Sequence, residues 1–167
     1  MVNKCEISEQ LLDVLVEIKA AVQKILDTED QKYDIIKNME TDQLIAINED
    51  ESIILYNIEN FEIKRMDLVE TLSLKIGFDP QQPISKVALF LSKEYKDAIL
   101  TISMDIRNIC TRIDIITDRN EYMLNSSVEI ISQILELSQG TSVDQYNSHG
   151  LSTDIKKHNL HMLDQLV

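Results

Sequence analysis

The chain has 167 residues with only three Gly, two Pro and no Trp, and its net charge at pH 7 is −13. This length allows one domain, and the shortage of turn-forming residues excludes a sheet-rich fold. The chain has 29 acidic and 16 basic side chains. This acidic excess disfavours nucleic acid and anionic membranes as partners, because phosphate binding needs clustered Lys and Arg.

The cysteines and the first residues suggest the compartment. Cys5 and Cys110 lie too far apart in sequence for a disulfide framework, and neither has neighbours typical of a metal ligand. Residues 1–10 lack an apolar signal-peptide core, and no uncharged apolar run approaches the roughly 18 residues that a membrane span needs. The sequence therefore predicts a cytoplasmic protein.

The first predicted helix runs from Ile7 to Met39, where apolar residues recur every three to four positions. Its apolar stripe is wide, which is typical of a helix that contacts two neighbours. Residues 27–32 are wholly polar. We interpret that stretch as a place where the helix extends beyond its partners or loosens.

A second helix is predicted after Thr41 or Asp42, either of which can act as its N-terminal cap. The polar run 48–52 interrupts its apolar stripe and predicts a kink or break. Gly77 is expected to end the helix in a left-handed conformation, and residues 77–83 form a connection containing both prolines.

A third helix is predicted over residues 84–137, ending at Gly140, because apolar residues continue there without Gly or Pro. At about 1.5 Å per residue it would be roughly 80 Å long, which suits a binding surface better than a compact catalytic core. Asn120 and Ser127 are polar positions on its apolar seam. They indicate either a polar core contact that fixes register or a seam opened for a partner.

These elements predict an all-α fold, an antiparallel, coiled-coil-like bundle of three long helices over residues 1–140. Residues 141–167 are expected to form a flexible tail with room for a short amphipathic helix. Apolar stripes of this width are satisfied either within one chain or in a homodimer, and the sequence does not decide between them.

No motif of an enzyme or cofactor site is present: the chain lacks a nucleophile elbow, a phosphate loop, a Gly-rich dinucleotide loop and a thiol-redox pair. The three histidines, His149, His158 and His161, all lie in the predicted tail. His158 and His161 have helical spacing, but no cysteine accompanies them as a structural zinc site would require. We predict no catalytic residue, no metal site and no cofactor.

An acidic pair of helices precedes a helix with the segment Asn120-Glu121-Tyr122-Met123-Leu124-Asn125, which continues through residues 128–135. A Tyr-x-x-x-Gly element follows at Tyr146 to Gly150. With these motifs, the chain resembles the FlgN family of flagellar type III export chaperones over most of its length. The chain departs from the family pattern after Gly150, where its tail is apolar and contains histidine.

The resemblance implies a cytoplasmic, non-enzymatic chaperone. Its clients would be the disordered C-terminal segments of the hook-associated proteins at the hook–filament junction, which it would deliver to the cytoplasmic domain of the export gate. Tyr146 and Gly150 match the element that contacts the gate. The predicted client-binding residues are Leu124, Val128, Ile131, Ile134, Leu135, Leu160 and Leu163.

For the apolar face at residues 124–135, packing against the first helix of the same chain is the alternative to client binding. Two other functions also remain open. A structural coiled-coil adaptor would share the long helices but have no export role. A chemotaxis-type phosphatase needs an Asp and a Gln close together on one helix, whereas Asp105, Asp114 and Asp118 have no Gln nearer than Gln133.

Overall fold

Every element in the described part of the chain is helical. A computed structural model describes the backbone of residues 4–143 and the side chains of residues 4–138. Three long helices, α1 (Lys4–Lys37), α2 (Thr41–Ile76) and α4 (Lys93–Val143), are accompanied by the short α3 (Ile84–Val87) and a 3₁₀ turn at Ala88–Phe90. The all-α prediction is confirmed for these residues.

The chain divides into two compact units between Asn125 and Ser126. The first unit contains the apolar core, to which α1 contributes the most side chains because its apolar stripe faces two other elements. The core residues are Ile7, Leu11, Leu15, Ile18, Val22 and Leu26 of α1, Val69 and Leu72 of α2, Phe78, Val87, Ala88 and Leu91 of the connection, and Ile99 and Ile109 of α4.

The ends of α2 agree only in part with the sequence. Glu40 is the residue before the first turn, without a side-chain cap bond, so the expectation of a cap at Thr41 or Asp42 is wrong. Gly77 does end the helix, with φ of 86° and its N–H donating to the carbonyl of Ser73 at 2.7 Å. Gly reaches this left-handed conformation without the Cβ clash that other residues meet.

The predicted break in α2 at residues 48–52 is also wrong, because the helix is continuous there. Two of the polar side chains in this run have partners, one within α2 and one on α1. Ser52 Oγ donates to the carbonyl of Asn48 at 2.8 Å, and Glu51 lies on the packed side, where Lys32 binds it.

The long helix starts later than predicted. Residues 84–90 form separate short turns, Leu91 is extended with ψ of 172°, and α4 begins at Lys93. The N–H of Lys96 donates to the carbonyl of Ser92 at 2.9 Å, which places Ser92 at the N-cap, a position that Ser favours. Burial of the connection explains the break: Val87, Ala88 and Leu91 are directed into the core. At the other end, the backbone stays helical past Gly140 to Val143.

Contacts between α1 and α4 follow the same order along both helices. Cys5 Sγ lies 3.4 Å from Tyr95 Oη, and Lys19 Nζ lies 2.6 Å from a carboxylate oxygen of Asp105. Further along, Asn120 Nδ2 donates to the carbonyl of Glu29 at 2.8 Å. Residue numbers therefore rise together, so α1 and α4 run in the same direction. The link of residues 38–40 turns the chain back from α1 into α2.

Candidate functional site

A buried polar cluster joins α1, α2 and α4 where the polar stretch of α1 lies. Glu29 and Lys32 of α1 are only 4% and 8% exposed, and Asn120 of α4 is 4% exposed. Glu51 of α2 completes the cluster through its ion pair with Lys32. The interpretation that α1 extends beyond its partners at residues 27–32 is therefore wrong, because this stretch is packed between helices.

The hydrogen bonds of this cluster connect all four side chains. Lys32 Nζ donates to Glu29 Oε1 at 2.7 Å and also to Glu51 Oε2. Asn120 Nδ2 donates to Glu29 Oε2 at 2.9 Å and to the Glu29 backbone carbonyl. Buried charges persist only when they are paired in this way. The arrangement confirms the interpretation of Asn120 as a polar core contact, and it fixes the axial register of α4 against α1.

Contacts within the cluster shift the pKa values of Glu29 and Lys32 toward their charged forms. Burial alone raises the pKa of Glu29, but the hydrogen bonds from Lys32 and Asn120 and the Lys32 charge outweigh it and lower that pKa below 4.5. Burial alone lowers the pKa of Lys32, yet the hydrogen bonds to Glu29 and Glu51 raise it above 10.5. Glu29 and Lys32 are therefore both ionised at neutral pH.

Acid is expected to destabilise the protein through Glu29. Its pKa is lower in the folded state, so its contribution to the free energy of unfolding is complete above the ordinary pKa of 4.5 and is lost as the pH falls through the folded value. Urea unfolding followed by circular dichroism between pH 3 and pH 7 measures this loss. Glu29→Gln should flatten the acid limb of the curve, and an unchanged limb would contradict the assignment.

Arg119 extends the polar contact at the surface. Its guanidinium lies 4.2 Å from the centre of the Tyr33 ring, and Nη2 is 4.0 Å from Asp30 Oδ1. The same nitrogen donates to Asn120 Oδ1 at 3.4 Å. A stacked, partly screened cation contributes roughly 0.5–1 kcal/mol at such a site. Arg119 thus holds the acceptor side of the Asn120 amide while α1 binds its donor side.

Burial of α4 ends at Asn120. Among the described side chains after it, residues 121–138, none is buried. The five predicted client-binding residues in this range are exposed: Leu124 by 40%, Val128 by 56%, Ile131 by 46%, Ile134 by 59% and Leu135 by 54%. Within the second unit, the helical repeat places Val128, Ile131 and Leu135 on one side of α4, with Ile134 beside them. Single exposed apolar residues are ordinary, whereas several on one side of a helix are typical of interaction surfaces.

Four predicted site residues lie outside the described residues: Tyr146 and Gly150 for the gate, and Leu160 and Leu163 for the client. The histidines of the tail lie there as well. The five predicted client-binding residues within the described part are all solvent-exposed, as binding to another chain would require. Sequence reasoning missed the Glu29–Lys32–Glu51–Asn120 cluster. The signal that could have found it is the three-residue spacing of Glu29 and Lys32 along the apolar stripe of α1.

The described part of the chain offers no arrangement for metal chemistry, since no three His, Cys, Asp or Glu side chains converge within it. None of its helices combines the length and apolarity that crossing a bilayer demands. What the arrangement does supply is a registered helical scaffold and, on α4, an exposed apolar side.

Comparison with known proteins decides the family. The family model described as FlgN protein matches residues 1–153. The chain belongs to the FlgN family. No curated protein and no solved structure matches it.

FlgN proteins are chaperones of flagellum biogenesis, so membership assigns this chain a role in flagellar export. The resemblance seen in the sequence is thereby confirmed. Family membership also favours a chaperone over the phosphatase and the generic adaptor considered above, because the match covers both long N-terminal helices and most of the C-terminal third.

Proposed function

We propose that this FlgN protein is a cytoplasmic, non-enzymatic chaperone that binds the disordered C-terminal segments of hook-associated proteins and delivers them to the export gate. The observation that carries the proposal is the exposed apolar group at Val128, Ile131, Ile134 and Leu135. Leu124, four residues earlier, is exposed in the first unit. Leu160 and Leu163 of the tail are assigned to the same client on sequence alone.

A helix-in-groove mode of recognition fits these residues. A client segment that is unfolded alone gains an apolar face when it becomes helical, and that face covers the apolar residues of the chaperone. The ordering of the client opposes binding, which keeps affinity moderate and release available. Packing of the same residues against α1 is the alternative to client binding, and the titration with a client segment distinguishes the two.

The test is a calorimetric titration of the full chain with the C-terminal segment of a hook–filament junction protein. We expect saturable binding with a negative change in heat capacity, because apolar surface leaves water. A segment of equal length from the middle of the same junction protein is the control. If both segments bind equally, or neither binds, the client assignment fails.

The gate is assigned to Tyr146 and Gly150. We expect Tyr146→Ala to weaken binding to the cytoplasmic domain of the export gate by about tenfold or more, since aromatic anchors dominate small interfaces, while affinity for the client stays unchanged. Surface plasmon resonance with each partner measures the two affinities separately. Equal gate affinity for the variant and the natural chain would remove Tyr146 from this role.

The proposal includes the arrangement of the three long helices. We take α1, α2 and α4 as an antiparallel bundle of three long helices over residues 1–140, in which α2 runs opposite to α1 and α4, with residues 141–167 as a separate C-terminal segment. The run of paired residues from Cys5 with Tyr95 to Glu29 with Asn120 supports the arrangement. The position of Asn120 supports separate roles for the two parts of α4. Up to that residue α4 contributes side chains to the core, and beyond it the apolar side chains are exposed.

A further inference from the structure

A second apolar surface lies on α2, on the side turned away from the core. Four of its residues, Ile45, Tyr56, Ile63 and Leu74, are spaced by 11, 7 and 11 positions. At about 100° per residue this spacing keeps them within about 20° of one line along the helix, over roughly 44 Å. We name these residues, with the adjacent Met66, the α2 stripe. Their exposed fractions are 55%, 64%, 53%, 83% and 61% in the order Ile45, Tyr56, Ile63, Leu74 and Met66.

Acidic side chains border the α2 stripe on both sides. Within about 60° of its line lie five exposed carboxylates and no basic residue. They are Asp42, Glu49, Glu59, Asp67 and Glu70.

The three basic residues of α2 lie about 100° or more from that line. They are Lys64, Arg65 and Lys75. Two of them have partners elsewhere: Lys64 lies over the Phe61 ring at 5.7 Å, and Arg65 pairs with Glu62. The sector around the stripe is therefore uniformly negative.

This combination selects the kind of partner. A second copy of the chain would bring the same carboxylates against themselves, because a two-fold interface repeats one surface on both subunits. Anionic membranes and nucleic acids are repelled for the same reason. The complementary surface is a helix with an apolar stripe of equal period, bordered by Lys and Arg, since opposite charges across an interface steer association and suppress wrong partners.

From this geometry we infer that the α2 stripe docks a basic amphipathic helix of another protein. The stripe belongs to the first unit and shares no residue with the client-binding group of α4. The two surfaces can therefore be tested separately, and this inference does not depend on the client assignment.

Fluorescence anisotropy with a labelled designed helix tests the inference on the full chain. The probe is a synthetic peptide of about 28 residues with a Leu stripe bordered by Lys; the reference peptide has Glu in place of each Lys. We expect only the Lys peptide to bind. Affinity should fall at least about tenfold between 50 and 300 mM NaCl, because exposed charges are screened over about 10 Å at 0.1 M salt.

Variants locate the binding. Tyr56→Ser with Ile63→Ser should weaken the Lys peptide about tenfold or more, and Glu59→Gln with Asp67→Asn and Glu70→Gln should reduce its salt dependence. The matched control is Met104→Ser with Ile115→Ser, two residues of α4 that are each 64% exposed, and it should bind normally.

Three results overturn the inference. The first is no binding of the Lys peptide to the full chain. The second is binding that survives the Tyr56 and Ile63 changes or is lost with Ile131→Ser, which would place the peptide on the α4 surface. The third is sedimentation showing a dimer that the Tyr56 and Ile63 changes dissociate, which would make a second copy the occupant.

Discussion

Replacement of Lys32 by Met is expected to lower the free energy of unfolding by about 3–5 kcal/mol. Lys32 is the cation between two carboxylates, those of Glu29 and Glu51, and its side chain is only 11% exposed. Removal of the ammonium group leaves Glu29, 5% exposed at its side chain, without its ion-pair partner. The cost arises from the stranded negative charges rather than from the lost attraction alone.

Urea unfolding followed by circular dichroism at pH 7 measures the effect. The matched control is Lys24→Met, two turns earlier on α1, where Lys24 is exposed. A surface change of this kind should stay within about 0.5 kcal/mol. If Lys32→Met and Lys24→Met destabilise the protein equally, the cluster does not bear on stability.

A triple variant separates the two contributions. With Glu29, Lys32 and Glu51 all changed to Met, no charge is stranded, so most of the lost stability should return. Asn120 would still donate to the backbone carbonyl of residue 29, which leaves part of the register contact in place. Recovery of stability would show that the cluster specifies how α4 aligns with α1 more than it stabilises the fold.

The sequence predicts the long helices well because their signals are local. The apolar period of α1, the Gly at position 77 and the two prolines of the connection act within a few residues, and the structure places α1, the end of α2 and the connection close to the predicted bounds. The polar position of Asn120 on an apolar seam was also informative, since a buried amide needs a partner.

The complete cluster could not be predicted, because Glu51 and Asn120 are distant in sequence from Glu29 and Lys32. Glu51 lies 19 positions from Lys32, and Asn120 lies 91 positions from Glu29. Because Glu29 and Lys32 are charged, a search for apolar periodicity finds no stripe at their positions. Both nevertheless lie on the buried side of α1. The late start of α4 was missed for a related reason. Leu91 fits the apolar period, and only Ser92 indicates that a new helix begins.

The largest functional effect is expected from charges on the exposed side of α4. Ile131→Asp with Leu135→Asp should weaken binding of the hook-associated C-terminal segment by about 100-fold or more. Burial of each side chain contributes roughly 1.5–3 kcal/mol, and each 1.4 kcal/mol is a factor of ten in affinity. Because both residues are about half exposed in the free protein, at 46% and 54%, the fold should lose little stability.

The control for this variant is Met104→Asp with Ile115→Asp on the same helix, both 64% exposed. At about 100° per residue, Met104 and Ile115 lie on roughly the opposite side of α4 from Leu124. Their replacement by Asp therefore lowers helix propensity as the test variant does, but it does not change the client face. Calorimetry with the client segment should give normal affinity for the control and little heat for the Ile131 and Leu135 variant. Should both double variants bind the client normally, the recognition surface lies elsewhere, and the tail residues Leu160 and Leu163 become the part of the site to test.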